Sequence, residues 1–370
     1  MSVRPDTEQL VAADAAFGTD LYGKLAGPAN LVFSPASVAA ALRMALIGAR
    51  GETAVEMARV LHLASAEAAR QAQGQLASIP ASDALTLRVV NTAWIDSGLS
   101  VREEFLAQPA SVQRADFSGD PEVARRAINM AVEEQTAGKI SGLVQPGLIS
   151  ALTRLVLVNA LYLKARWEHE FPAGNTRKEP FYPERSDATP VDLMHMAERL
   201  AYYRGDGFQA VLLPYKGGPL AMAIVLPDGT LSQFPLEALG GVYGVLRGML
   251  AGREEYEVDL RLPKFRVEAQ FLLGDTLRAL GISLAFSAEA DFSGICDEPL
   301  HIDQAIHKAF IDVDEQGTEA AAATAAVVRV MAMRRQPARR VAFTADRPFL
   351  FAVVETATGL PLFLGQFTGP

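Results

Sequence analysis

The sequence predicts an α+β fold in a single domain, and two observations support this prediction. Helical patterns of apolar residues dominate the first third of the 370 residues and extended patterns dominate the remainder, without the regular strand–helix alternation of a doubly wound nucleotide-binding fold. No linker rich in Gly, Ser or charge divides the chain. We therefore expect residues 1–370 to form a single domain.

The amino-terminal part is predicted to be helical. Apolar side chains recur near helical spacing over residues 7–25. Ser34 and Pro35 suit the cap and the first turn of an Ala-rich helix that closes at Gly48. Further helix is predicted over residues 52–77.

Strands are predicted mainly in the later part of the chain. Alternating apolar side chains predict strands over residues 85–95, 153–163 and 211–226, and extended chain over residues 257–267 and 349–367. Helical spacing returns at residues 271–280, which are flanked by Gly281. The mixture of helices and strands agrees with the α+β class.

Residues 317–332 fit two different secondary structures. Their alanines favour a helix by propensity alone, whereas a period of two places Glu319 and Arg329 on one face and only small or apolar side chains on the other. The residues on the small, apolar face are Thr318, Ala320, Ala322, Thr324, Ala326, Val328 and Val330. The segment therefore suits either a solvent-exposed helix or loop, or a strand buried between neighbouring strands.

The composition argues against several classes of function. A formal net charge of −9 disfavours binding to nucleic acid or to an anionic membrane, which needs a basic surface. Cys296 is the single cysteine, so neither an intramolecular disulfide nor a thiolate zinc cluster can form. The chain lacks a run of ~18 apolar residues that could span a membrane. Because the polar amino terminus lacks a secretory signal, a cytoplasmic location is expected from the sequence.

Catalytic motifs are also absent from the sequence. It contains no Gly-x-Ser-x-Gly, no His-Glu-x-x-His and no phosphate-binding Gly-x-x-x-x-Gly-Lys-Ser/Thr. Residues 205–210 resemble a dinucleotide fingerprint but lead into a strand, which favours a plain turn. His301, Asp303 and His307 lack the spacing of metal ligands and are interpreted as structural. We expect no enzymatic activity, no cofactor and no metal.

Residues 306–322 resemble the hinge of the serpins, a family of serine protease inhibitors. Further serpin motifs follow in the family's order at residues 33–37 (the shutter motif), 155–167 (the central strand of the main sheet), 262–265, 280–286, 291–295, and 346–351 through 361–365 (the C-terminal signature). The resemblance covers essentially the whole chain.

The resemblance implies a fold of three β-sheets and eight or nine helices, with an exposed reactive-centre loop at about residues 315–345. It implies an inhibitory, monomeric member, which we expect to be prokaryotic. A serine protease would cut the loop, become acylated, and be trapped when the loop inserts into the main sheet as a new strand. The native state would then be metastable. The alternative is a non-inhibitory serpin that acts as a carrier or chaperone; by family, an extracellular location is also possible.

The resemblance assigns site residues by position. The hinge comprises Glu315, Gly317, Thr318, Glu319, Ala320, Ala321, Ala322 and Ala323. The shutter, where strands part to admit the loop, comprises Ser34, Ser37, Asn159 and His307, and Trp167 lies at the breach, where the loop first enters. The small hinge residues favour the hypothesis of an inhibitory serpin, because small side chains can enter a tight slot between strands.

Counting from Glu315 as the family pattern does, the resemblance implies a scissile bond between Met331 and Ala332. An unbranched methionine fits the primary pocket of chymotrypsin-, elastase- or subtilisin-like proteases. The competing trypsin-type sites are Arg329, Arg334 and Arg335. The Arg-rich tract at residues 334–340 makes the loop longer than is usual for the family, and we interpret it as solvated loop rather than as a site for an acidic partner.

Overall fold

The computed structural model describes residues 5–72, 82–107, 111–234, 236–252, 255–318 and 339–370. Within these ranges it contains eight α-helices and fifteen strands, which confirms the predicted α+β class. The helices are α1 (Pro5–Leu25), α2 (Pro35–Gly48), α3 (Gly51–Val60), α4 (Ala66–Gln71), α5 (Glu103–Leu106), α6 (Pro121–Gln135), α7 (Leu236–Ala251) and α8 (Gly274–Leu280).

The strands follow one another with few helices between them. They are β1 (Leu31–Phe33), β2 (Leu85–Asp96), β3 (Ser111–Ala115), β4 (Leu155–Arg166), β5 (Arg177–Phe181), β6 (Thr189–Arg204), β7 (Phe208–Pro214), β8 (Leu220–Pro227), β9 (Glu255–Pro263), β10 (Phe265–Leu272), β11 (Gln304–Val313), β12 (Gly317–Thr318), β13 (Arg340–Thr344), β14 (Phe349–Glu355) and β15 (Pro361–Phe367).

Backbone hydrogen bonds join the described strands into two sheets. The six-stranded sheet has the order β10-β11-β12-β4-β2-β3, and β11 also pairs directly with β4. The nine-stranded sheet has the order β1-β15-β14-β8-β7-β6-β9-β13, with β5 on β6. Strand β6 pairs with β5 and β9 over its first part and with β7 over its last residues. Three sheets were expected. The long strand β6 joins two of them into the single nine-stranded sheet.

The six-stranded sheet is buried on both faces along its central strands. One face packs against α2 and the nine-stranded sheet, and the other face packs against α6 and the segment that follows it. Burial on both sides explains why β4 is a nearly continuous apolar run. Helix α2 is buried around nearly its whole circumference, including Ser37 and Arg43, because it lies inside the molecule rather than on its surface.

Several sequence predictions need correction. Residues 211–226 form the hairpin β7–β8 and not one strand, because Gly217, with φ of 77°, allows a turn that the apolar alternation did not reveal. Of residues 271–280, the first two belong to β10. The helix predicted over 52–77 is broken between α3 and α4, and its last residues, 73–77, lie outside the described ranges. The capped start of α2 at Ser34 is confirmed, because the Ser34 side chain accepts a hydrogen bond from Ser37 N.

Candidate functional site

A row of polar side chains crosses the middle of the six-stranded sheet. Asn91 on β2 and His307 on β11 both lie opposite Asn159 on β4 in the strand register. All three side chains face the amino terminus of α2, where Ser34 and Ser37 lie. Four of these five residues are the predicted shutter residues. We refer to the five together as the shutter cluster.

Hydrogen bonds connect the members of the shutter cluster. His307 Nε2 accepts a hydrogen bond of 3.0 Å from Ser34 N, so the ring proton of the neutral imidazole is on Nδ1, which contacts Asn159 Oδ1. Asn159 Nδ2 donates to Ser37 Oγ, and an amide atom of Asn91 lies 3.1 Å from the same oxygen. The contact between His307 and Asn159 joins β11 to β4 through side chains as well as through the backbone.

Burial controls the charge of His307. The side chain is completely buried, and this desolvation lowers the pKa of His307 from 6.5 to about 3. The imidazole is therefore neutral at physiological pH, in agreement with its acceptor role toward Ser34. A charged ring could not accept that hydrogen bond.

Strands β4 and β11 meet along a line that we call the seam. Over most of its length the two strands pair in parallel, from Gln304 opposite Val156 to Phe310 opposite Tyr162. At the end of the seam nearest Arg166, the strands separate and β12 lies between them. Strand β12 runs antiparallel to both neighbours. One end of the seam thus contains a two-residue strand between β4 and β11.

The geometry of β12 requires glycine at position 317. Gly317 has φ of 156°, and a Cβ atom there would lie 2.0 Å from the carbonyl oxygen of Ala165. Thr318 is completely buried between the two neighbouring strands. A small residue can therefore enter this slot, whereas a long or charged side chain would have to displace backbone.

Trp167 and Tyr215 form the wall against which β12 packs. Their rings are stacked, with centroids 4.5 Å apart. Trp167 Nε1 donates to Asp314 O at 2.9 Å, and Trp167 N donates to Gln316 O at 2.8 Å. Trp167, predicted at the breach, therefore contacts the turn between β11 and β12. Tyr215 was not singled out in the sequence.

Polar contacts also hold the turn that precedes β12. Lys264 Nζ lies 2.7 Å from Glu315 Oε2, and Thr176 donates a hydrogen bond of 2.8 Å to Glu315 Oε1. Partial burial alone would raise the pKa of Glu315, but the hydrogen bonds from Lys264 and Thr176 lower it. Asp314 Oδ1 accepts hydrogen bonds from the backbone N–H groups of Gln316 and Gly317. The turn is therefore fixed from both sides.

The remaining predicted site residues lie outside the described ranges. They are Glu319, Ala320, Ala321, Ala322, Ala323, Met331 and Ala332, together with the alternatives Arg329, Arg334 and Arg335. The described ranges bring Glu315, Gly317 and Thr318 next to Trp167, and bring the shutter residues together further along the seam.

The residues considered as metal ligands have other contacts. Asp303 Oδ2 accepts hydrogen bonds from the backbone N–H groups of Arg154 and Leu155, and His301 lies 3.4 Å from the other carboxylate oxygen. His307 belongs to the shutter cluster. Cys296 is buried, and desolvation raises the pKa of its thiol. Among the described residues, no helix is both long and apolar enough to cross a bilayer.

Comparisons with known proteins agree on one family. The family model described as Serpin (serine protease inhibitor) matches residues 12–370. An uncharacterized serpin-like protein of Thermococcus kodakarensis is 41% identical over 98% of this chain and 86% of its own length. The leukocyte elastase inhibitor of Bos taurus is 35% identical over 98% of this chain and all of its own length. The crystal structure of Serpin48 from Tenebrio molitor superposes with a TM-score of 0.83 at 33% identity, over the full length of both chains.

Proposed function

The chain belongs to the serpin family, and from this premise we propose that it inhibits serine endopeptidases as a suicide substrate. In this proposal it acts as a monomeric single domain, and residues from Glu315 onward form the bait loop. A target protease cuts the loop and becomes acylated. The cut loop then inserts along the seam before the acyl bond is hydrolysed, and the protease is carried to the far end of the sheet.

The position of β12 is the observation that supports this proposal most strongly. Thr318 already pairs with both β4 and β11, and Gly317 pairs with β4, so continued insertion would only extend an existing strand. The extension would replace one parallel ladder by two antiparallel ladders, and antiparallel pairing is the slightly more stable kind per residue. About 14 inserted residues at ~3.3 Å each would move the protease by roughly 45 Å.

The shutter cluster supplies a barrier to insertion. Insertion must separate His307 from Asn159 and break the parallel pairing of their strands. Buried polar groups that lose a partner cost about 1–3 kcal/mol each until a new partner arrives. The barrier is consistent with a native state that is kinetically trapped until cleavage frees the loop.

We place the scissile bond between Met331 and Ala332. The relative named leukocyte elastase inhibitor supports an elastase-like target, and a methionine suits the apolar primary pockets of such enzymes. Cleavage at Arg329, Arg334 or Arg335 would instead indicate a trypsin-like target. These alternatives make different released peptides, which can be distinguished by mass.

The test is incubation of the protein with chymotrypsin, elastase, subtilisin and trypsin in separate reactions. We expect a covalent complex that survives denaturing electrophoresis with at least one of the first three enzymes, and a released peptide that begins at Ala332. Each protease treated with a covalent active-site inhibitor serves as the control, because it cannot be acylated. Loop cleavage without complex formation, with the protease remaining active, would contradict inhibition and favour the carrier or chaperone alternative.

A further inference from the structure

Tyr215 lies beside Gly317 and Thr318, the two residues of β12, which we call the root of the bait loop. It lies just after β7, forms an isolated β-bridge with Trp167, and its backbone N–H donates to Leu220 O at 2.9 Å. Stacking on Trp167 fixes the plane of its ring. The backbone and ring contacts therefore determine where its hydroxyl group points.

The hydroxyl group of Tyr215 contacts the first buried side chain of the loop. Tyr215 Oη lies 2.5 Å from Thr318 Oγ1, and both side chains are buried. Burial raises the pKa of Tyr215, so the phenol stays neutral. If β12 left the seam, Tyr215 Oη would lose the hydrogen bond that it has within the described ranges. Departure of Thr318 is therefore unfavourable even before the backbone pairing is considered.

We propose that Tyr215 is a positioning residue that keeps the root of the bait loop seated in the seam before a protease arrives. Its hydrogen bond to Thr318 sets the fraction of molecules in which β12 is formed. The consequence for inhibition rests on the function proposed above. A seated root shortens the free part of the loop, which slows protease access, and gives insertion a start once the loop is cut.

The variant Tyr215→Phe tests this proposal, with Tyr243→Phe as its matched control. The Tyr243 hydroxyl is also buried, but it has no hydrogen-bond partner within the described ranges, so each variant removes one buried hydroxyl and only one breaks a hydrogen bond. In native-state hydrogen exchange we expect the amide of Thr318 to exchange about tenfold faster in Tyr215→Phe only. Unchanged exchange, or equal acceleration in both variants, would overturn the proposal.

A second variant keeps the test decisive if Tyr215→Phe does not fold. Thr318→Val retains the shape of the buried side chain and removes the hydroxyl from the other side of the contact. We expect it to accelerate exchange of the amide at position 318 by a similar factor, once the intrinsic exchange rate of valine is taken into account. Where both single variants fold, the double variant should exchange no faster than either one, because the two substitutions remove the same hydrogen bond. Multiplicative effects would contradict a shared contact.

The hydrogen-exchange measurement needs no protease, so the two proposals can fail separately. If the unmodified protein forms no covalent complex, the suicide-substrate function fails while the exchange result still decides the role of Tyr215. If the complex forms, we expect Tyr215→Phe to associate with the protease several-fold faster and to be cleaved more often without trapping it. Normal complex formation together with unchanged exchange would remove the role of Tyr215 alone.

Discussion

His307 illustrates how a single buried residue couples two strands to a helix. One ring nitrogen contacts Asn159 across the seam, and the other accepts a hydrogen bond from Ser34 at the start of α2. A neutral imidazole is suited to this place because it offers one donor and one acceptor in one rigid ring. Protonation would convert the acceptor into a donor and oppose the contact with Ser34.

The stability of the native state should therefore depend on pH through His307. Its native pKa of about 3 lies below the ordinary value of 6.5, so between these values the unfolded chain binds a proton that the native state does not. Stability is then lost as the pH falls from 6.5 toward 3, by up to ~1.4 kcal/mol per pH unit. As the pH is lowered from 7 to 5, we expect the rate of unfolding in denaturant to increase more steeply in the unmodified protein than in His307→Gln. Equal slopes would show that His307 does not control this dependence.

Thr318 is the residue at which a charge should most directly block insertion. It is completely buried beside Tyr215, so Thr318→Arg would place an unpaired charge in the slot. We expect the variant to be cleaved by the target protease with little or no trapping. Gel analysis of complex against cleaved product measures this ratio. Ser111→Arg, at an exposed edge of the same sheet, should trap as well as the unmodified protein. Full trapping by Thr318→Arg would count against insertion through this slot.

At the scale of elements, the segment after α6, residues 140–149, lies across the seam. Asn129 on α6 exchanges two hydrogen bonds with the backbone of Val144, and Gln270 on β10 donates a hydrogen bond of 2.9 Å to Leu143 O. The segment is thus attached to α6 at one side and to the edge strand beside β11 at the other. Insertion of a strand between β4 and β11 would push these attachments apart.

Gln270→Leu should make insertion faster by removing one of these attachments. A single hydrogen bond of about 1 kcal/mol corresponds to a rate increase of roughly fivefold if it is broken in the transition state. The measurement is the rate at which a synthetic peptide with the sequence of residues 317–330 anneals to the protein. Gln113→Leu, on the exposed edge strand β3, serves as control. The same rate in both variants would mean that the segment does not need to move.

The elements differ in how far the sequence could predict them. The start of α2 was predictable because its signals are local: Ser34 suits the cap and Pro35 suits the first turn. The division of residues 211–226 was not, because the apolar pattern continues through the turn and only Gly217 marks it. Tyr215 could not be assigned a role, because its partner Thr318 is 103 residues away in the chain. Asn91 was missed because a polar residue within a strand does not reveal which neighbours it meets.

At the scale of the whole molecule, the seam lies within the six-stranded sheet, between the nine-stranded sheet on one face and α6 on the other, and its two strands could accept one more strand. The central strands are covered on both faces, so an inserted strand would bury its side chains on entry. New backbone hydrogen bonds would form on both sides of it. The uninserted arrangement is therefore expected to be the less stable of the two, and to persist because the seam is closed.

Cleavage of the loop should consequently raise the thermal stability of the protein. After a protease cuts near Met331, we expect the unfolding midpoint to rise by more than about 10 °C, because the inserted strand adds two ladders and buries apolar surface. Thermal denaturation of intact and cleaved samples measures the shift. Cleaved Thr318→Arg should show a much smaller rise, since its loop cannot enter. No rise in the cleaved unmodified protein would contradict insertion.

The register of β12 has a consequence for the end of the reaction. Thr318 lies opposite Ala165 on β4 and opposite Val313 on β11, and both pairings are antiparallel. Continuing each pairing by six residues places Thr324 opposite Asn159 on one side and His307 on the other. The loop would thus bring a hydroxyl group to the two side chains that it has just separated. The same polar residues that we propose to delay insertion would then hold the inserted strand, so that the cleaved loop could not leave the sheet again.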